Sequence, residues 1–64
     1  MPILIDESQV EEASFRMMEV FEEQEVDPLE AIAALIRCVV AMAEKTDDPD
    51  TTLDWAVRRI DEEQ

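Results

Sequence analysis

Apolar residues recur along this chain at helical spacing, not at the alternation of a strand. Val10, Ala13, Met17, Val20 and Phe21 share one arc when plotted at about 100° per residue. Glu11, Glu12, Glu19, Glu22 and Glu23 take the opposite arc. The pattern predicts an amphipathic helix over 7–24 with its oily stripe against a core. Asp6 stands at its N-cap, Gln9 follows three residues on, and Ile5 and Val10 hold the hydrophobic-staple positions.

A second helix is predicted over 28–45, because Asp27, Pro28 and Glu30 supply an N-cap, an N1 proline and an acid in the first turn. Leu29, Ile32, Leu35, Ile36, Val39, Val40 and Met42 cover about half its circumference at helical spacing. Ala31, Ala34, Cys38 and Ala41 line the other side, broken by Arg37. Asp48-Pro49 repeats the starting device and predicts a third helix over 49–62. That helix turns Leu53, Ala56, Val57 and Ile60 inward and sets Trp55 on its other side.

Glycine is absent and no long strand pattern occurs. The fold class is therefore all-α: a single domain over 1–64, built as a small three-helix bundle or a helical hairpin plus a third helix. Short connections favour antiparallel neighbours. Residues 1–5 form an apolar arm. Ile3-Leu4-Ile5 is expected to fold onto the core or, alternatively, to pair as a strand with a symmetry mate.

The central helix raises a problem of coverage. A helix apolar nearly all round is normally buried. Two neighbours in a 64-residue chain cannot surround it. Domains this small are also marginal alone, and oligomerisation is a common remedy. The expectation is a homodimer through the central helix, with Ala31, Ala34, Ile36, Cys38, Val40 and Ala41 at the interface. The competing reading treats the alanines as good helix formers on a solvated face.

Charge changes the picture further. Eighteen acids face five Lys and Arg, for a net charge of −13. Ten of the acids lie in the first 30 residues beside one cation, Arg16. Such a field steers cationic partners and repels nucleic acid and anionic membranes. No basic stripe exists to neutralise phosphates, so direct nucleic-acid binding is not expected. Arg37 interrupts the best candidate for a membrane span. Only three apolar residues separate Met1-Pro2 from Asp6, so no signal peptide is expected. A single cysteine excludes an internal disulfide, and the cytoplasm (a host's, for a viral protein) is the expected compartment.

Catalytic chemistry finds little support. Histidine is absent, which removes most general-base, triad and zinc schemes. Cys38 reads as a buried, inert thiol. Without glycine there is no phosphate-cradling loop. Glu19, Glu22 and Glu23 share a helical face but lack the Glu-x-x-His partners of a di-iron site. Asp48, Asp50, Thr52 and Asp54 mimic a calcium loop, yet Leu53 and Arg59 stand where glycine and glutamate are required. The acidic carrier proteins need an Asp-Ser-Leu attachment site, and neither Ser8 nor Ser14 lies in one. The chain is read as a non-enzyme without metal or cofactor.

What remains is binding. Glu7 to Glu25 carries seven carboxylates, spread over roughly 27 Å of helix. That is about one charge per 4 Å, close to the ~3.4 Å phosphate spacing along one DNA strand. Phe15 and Met18 interrupt the acidic arc. Either another helix, such as one from a second subunit, covers them, or they anchor a foreign partner. Trp55 lies three and four residues from Arg58 and Arg59. It either stacks locally on them or serves as an interface hot spot.

In size, composition and charge the chain resembles phage-encoded DNA-mimic inhibitors of host restriction, CRISPR (the anti-CRISPR proteins) or transcription machinery. The likeness is one of charge and carries no shared motif. It implies an inhibitor that occupies a basic, nucleic-acid-binding surface of a partner protein or complex. Glu11, Glu12, Glu19, Glu22 and Glu23 would supply the field, and Phe15, Met18 and Trp55 the apolar contacts. The alternative is an obligate helical oligomer acting as an adaptor, assembly factor or structural subunit, with charge serving only solubility. Adaptation to high intracellular salt would also yield this acidity, although the uneven placement of the acids argues against it.

Overall fold

The computed structural model describes residues 4–64 and shows three helices: α1 (Glu7–Glu23), α2 (Pro28–Ala43) and α3 (Pro49–Glu63). No strand occurs among the described residues. The all-helical architecture matches the expectation, with helix ends shifted by one or two residues. Ile3 lies outside the described residues. Leu4 is 90% exposed, so the described part of the arm does not fold onto a core.

Each helix starts on an aspartate that accepts hydrogen bonds from otherwise unpaired first-turn N–H groups. Asp6 accepts from the Ser8 amide at 3.0 Å and from the Ser8 hydroxyl at 2.6 Å. Asp27 accepts from the Leu29 amide at 2.9 Å, with Pro28 preset for the first turn. Asp48 accepts from the Thr51 amide at 3.3 Å and its hydroxyl at 2.7 Å. These bonds stabilise the charged carboxylates. They hold Asp6 and Asp48 below the ordinary aspartate range, chiefly through the Ser8 and Thr51 hydroxyls. Asp50 and Thr52, half of the calcium-loop mimic, simply begin α3.

The α1–α2 turn closes by a Schellman motif. The Val26 amide donates to the Phe21 carbonyl at 3.0 Å, and the Glu25 amide to that of Glu22 at 3.2 Å. Phe21 and Val26 are half-buried, as the apolar contact of that motif requires. Its left-handed position is occupied by Glu25, at φ 53°. Glycine normally fills that position, because a Cβ there meets the following carbonyl. The α2–α3 turn is held by Thr46, whose hydroxyl donates to the Ala43 carbonyl at 2.6 Å and lies 2.8 Å from that of Thr52.

The bundle does not close. Ala31 and Ala43 are the only buried residues among those described, and only Ala43 is buried almost completely. α2 and α3 make the only appreciable helix–helix packing among the described residues. The radius of gyration is 12.8 Å, against about 11 Å for a compact chain of this length. The accessible surface is 5911 Å², against about 4,200 Å² for a compact monomer of this mass.

Several expectations are corrected by this openness. The α1 stripe is not a core within the chain: Val10, Met17 and Val20 are exposed and only Phe21 is half-buried. Of the seven bulky α2 residues, only Leu35 is half-buried; the other six are exposed. α3 keeps part of its expected orientation, with Leu53 and Ala56 half-buried as expected, and is rolled at Val57, Ile60 and Trp55. Val57 and Ile60 are 62% and 56% exposed, whereas Trp55 and Arg59 are half-buried beside Ala56. The roll has two causes: Thr52 meets Thr46 at one end of α3, and Arg59 is drawn to Glu7 at the other. Trp55 lies one turn before Arg59 on the same face and is carried inward with it.

Glu25 gives a direct stability test. Replacing it by glycine (E25G) removes the left-handed penalty and one negative charge. The expected result is a gain of about 1 kcal/mol, read as a higher melting temperature; a destabilised E25G would contradict this description of the turn.

Candidate protein-interaction surface

The outward arc of α1 is open along its length. Glu11, Glu12, Phe15, Met18, Glu19, Glu22 and Glu23 are all exposed, Phe15 by 66% and Met18 by 55%. No helix among the described residues covers Phe15. Arg16 takes Glu12 at 2.6 Å, four residues apart on the same helix. Both partners face solvent, where such a pair contributes little. Glu11, Glu19, Glu22 and Glu23 form no ion pair among the described residues. The ridge therefore keeps nearly all of its charge.

Met18 and Glu22 also border an open crevice of about 330 Å³ between α1 and α2, lined by Phe21, Val26, Ala31, Ile32 and Leu35, with Glu25 alongside. The crevice lies beside the Schellman turn, whose Phe21, Glu25 and Val26 all border it. Sequence patterning could not reveal it, since it depends on the angle between two helices.

A second feature without a sequence signal joins the ends of the chain. Arg59 donates two hydrogen bonds to Glu7, at 2.8 and 2.6 Å, across 52 residues. Glu63 stands 3.6 Å from the same guanidinium. Three-quarters of the Arg59 side chain is covered. The paired hydrogen bonds hold Glu7 below its ordinary value and raise Arg59 further above its own. Arg58 turns to Asp54 at 3.9 Å. Both guanidinium groups near Trp55 are thus directed to carboxylates, and Trp55 is half-buried rather than presented as an open hot spot.

The outer side of α2 forms a second open surface. Ala34, Ile36, Cys38, Val40 and Ala41 are exposed. Ala31 stands apart from them: it is buried against its own chain and lines the α1–α2 crevice. Cys38 is exposed, not buried as the apolar pattern suggested, because none of the described residues covers that side of α2. Glu30, Ala33, Ala34, Arg37 and Cys38 surround a shallow hollow there of about 510 Å³.

No protein family, curated protein or solved structure matches the chain. Among the described residues, no group of three or more Cys, Asp or Glu side chains converges on a metal-sized site. No helix among the described residues is long and apolar enough to cross a membrane. The surface thus includes an acidic ridge with apolar interruptions on α1 and an oily face on α2 whose two charges, Glu30 and Arg37, cancel.

The Glu7–Arg59 tie predicts a specific pH dependence. Glu7 has a depressed folded value, so its contribution is complete above the ordinary value of 4.5 and is lost as pH falls through the folded one. A Glu7→Gln variant should melt below the parent at neutral pH. The gap between the two should close as the solution is acidified below pH 4.5. A gap that stays constant into strong acid would exclude the pair as its source.

Proposed function

We propose that the protein is a small acidic binding module that works as an oligomer and inhibits its partner by occupying a basic, nucleic-acid-binding surface. The observation carrying this reading is the α1 arc: five exposed glutamates, four of them without an ion pair among the described residues, flanking exposed Phe15 and Met18. Lys and Arg that would meet phosphates meet these carboxylates instead. Phe15 and Met18 add a desolvated centre, which contributes more per residue than rim charge does. Because the partner surface is the one nucleic acid uses, binding and inhibition are the same event. Action in the cytoplasm, a host's if the protein is viral, follows from the class of target.

Self-association through α2 belongs to the same reading. The chain exposes roughly 1,700 Å² more than a compact monomer of its mass, and a standard stable interface removes about 800 Å² from each partner. A second copy is therefore sufficient to cover much of the α2 face.

The exposed apolar surface also favours a second reading. In it the chain is an obligate helical oligomer, an adaptor or assembly subunit. Affinity then lies in α2 and Trp55, and the charge serves solubility.

The two are separated by one experiment on immobilised protein and native extract. Under the first reading the parent captures a nucleic-acid-binding protein, added duplex DNA displaces it, and Glu19→Lys with Glu22→Lys reduces capture at least tenfold, as expected for several lost charge contacts. Capture should also weaken steeply with salt. Under the second, capture survives charge reversal and DNA, and Ile36→Ala abolishes it in a variant that remains helical.

A further inference from the structure

We infer that two copies of this chain pair through α2 as an antiparallel, two-fold symmetric helix pair, with Leu29, Ala33, Ile36 and Val40 as the seam and Glu30 bonded to Arg37 of the partner subunit. This rests on the self-association just proposed and specifies its geometry.

The seam follows from spacing and exposure. Leu29, Ala33, Ile36 and Val40 recur at intervals of four, three and four, the a/d pattern of paired helices. All four are exposed, Leu29 by 77%, Ile36 by 57% and Val40 by 44%. They lie on the side of α2 away from Ala31 and Leu35, which line the crevice toward α1; Ala43, seven residues after Ile36 on the same side, is buried and bounds the seam at the end of α2.

Charge selects the partner and the direction. α1 and α3 each carry a net negative charge, whereas α2 contains one acid, Glu30, and one base, Arg37. It is the only helix two copies can bring together without like-charge repulsion. Glu30 and Arg37 are seven residues apart, so both occupy the same flank of the seam. In an antiparallel pair that flank faces its own symmetry equivalent. Glu30 then meets the partner's Arg37, and the two-fold axis repeats the contact. In a parallel pair the same flank faces the opposite one, which carries Ile32 and Val39, and both charges lose their partners. Arg37 makes no ion pair within the chain among the described residues, so it is available.

The seam is also self-complementary in size under this symmetry. Its four positions are symmetric about a point between Ala34 and Leu35. Reversal therefore sets Leu29 against the partner's Val40, and Ala33 against the partner's Ile36. A small residue faces a large one in the inner layers, as close packing requires.

The test combines sedimentation with directed cross-linking. Glu30→Arg and Arg37→Glu should each weaken the dimer on the order of tenfold, and the double variant should recover the parent's affinity. In a Cys38→Ser background, Leu29→Cys alone and Val40→Cys alone should form no disulfide-linked dimer, because each cysteine is roughly 16 Å along the helix from its equivalent. An oxidised mixture of the two should form the mixed dimer. A dimer in which L29C links to itself would overturn the antiparallel register while leaving self-association intact. A parent that sediments as a monomer at micromolar concentration would overturn self-association as well.

Discussion

Too little chain surrounds too much apolar helix. α2 carries bulky side chains over half its circumference and small ones over most of the rest. α1 and α3 together supply only 32 residues, and much of their surface is acidic. Wrapping α2 completely would bring those acids together, and self-repulsion at this charge density opposes compaction. The chain instead forms well-capped helices and leaves them splayed. The observed surface of 5911 Å² is the direct consequence.

Local structure and tertiary structure consequently obey different controls. Each helix start is fixed by an aspartate and its neighbours, independent of packing. Each turn is closed by backbone bonds or by Thr46. The ends are tied by Arg59 and Glu7. None of these devices needs a core. What is missing is apolar burial, normally the dominant favourable term in folding. On the proposed reading a second copy supplies it at α2, the one helix without net charge. The acidic ridge of α1 stays exposed in the single chain.

The caps were legible in the sequence because they depend on residues within three positions of one another. Asp6, Asp27 and Asp48 announce their helices, and the Asp-Pro pairs locate two starts to the residue. Helical faces were legible as periodicities, so the acid arc of α1 emerged intact. Which apolar face is buried was not legible. Periodicity reports that Val57 and Ile60 are apolar neighbours; it does not report that Arg59 is pulled toward Glu7 and rolls α3 away from them. The left-handed Glu25 escaped notice for a related reason, since the turn lacks the glycine that marks such positions. An apolar setting in sequence does not fix the burial of Cys38, because a helix face without neighbours stays exposed.

The central claim is that the folded state requires α2 to be covered by a second copy, and the concentration dependence of thermal unfolding tests it most directly. For a dimer without a stable folded monomer, the melting temperature rises steadily over a roughly thousandfold increase in protein concentration. A cooperative transition at the same temperature across that range would show that one chain folds alone, and would contradict the account.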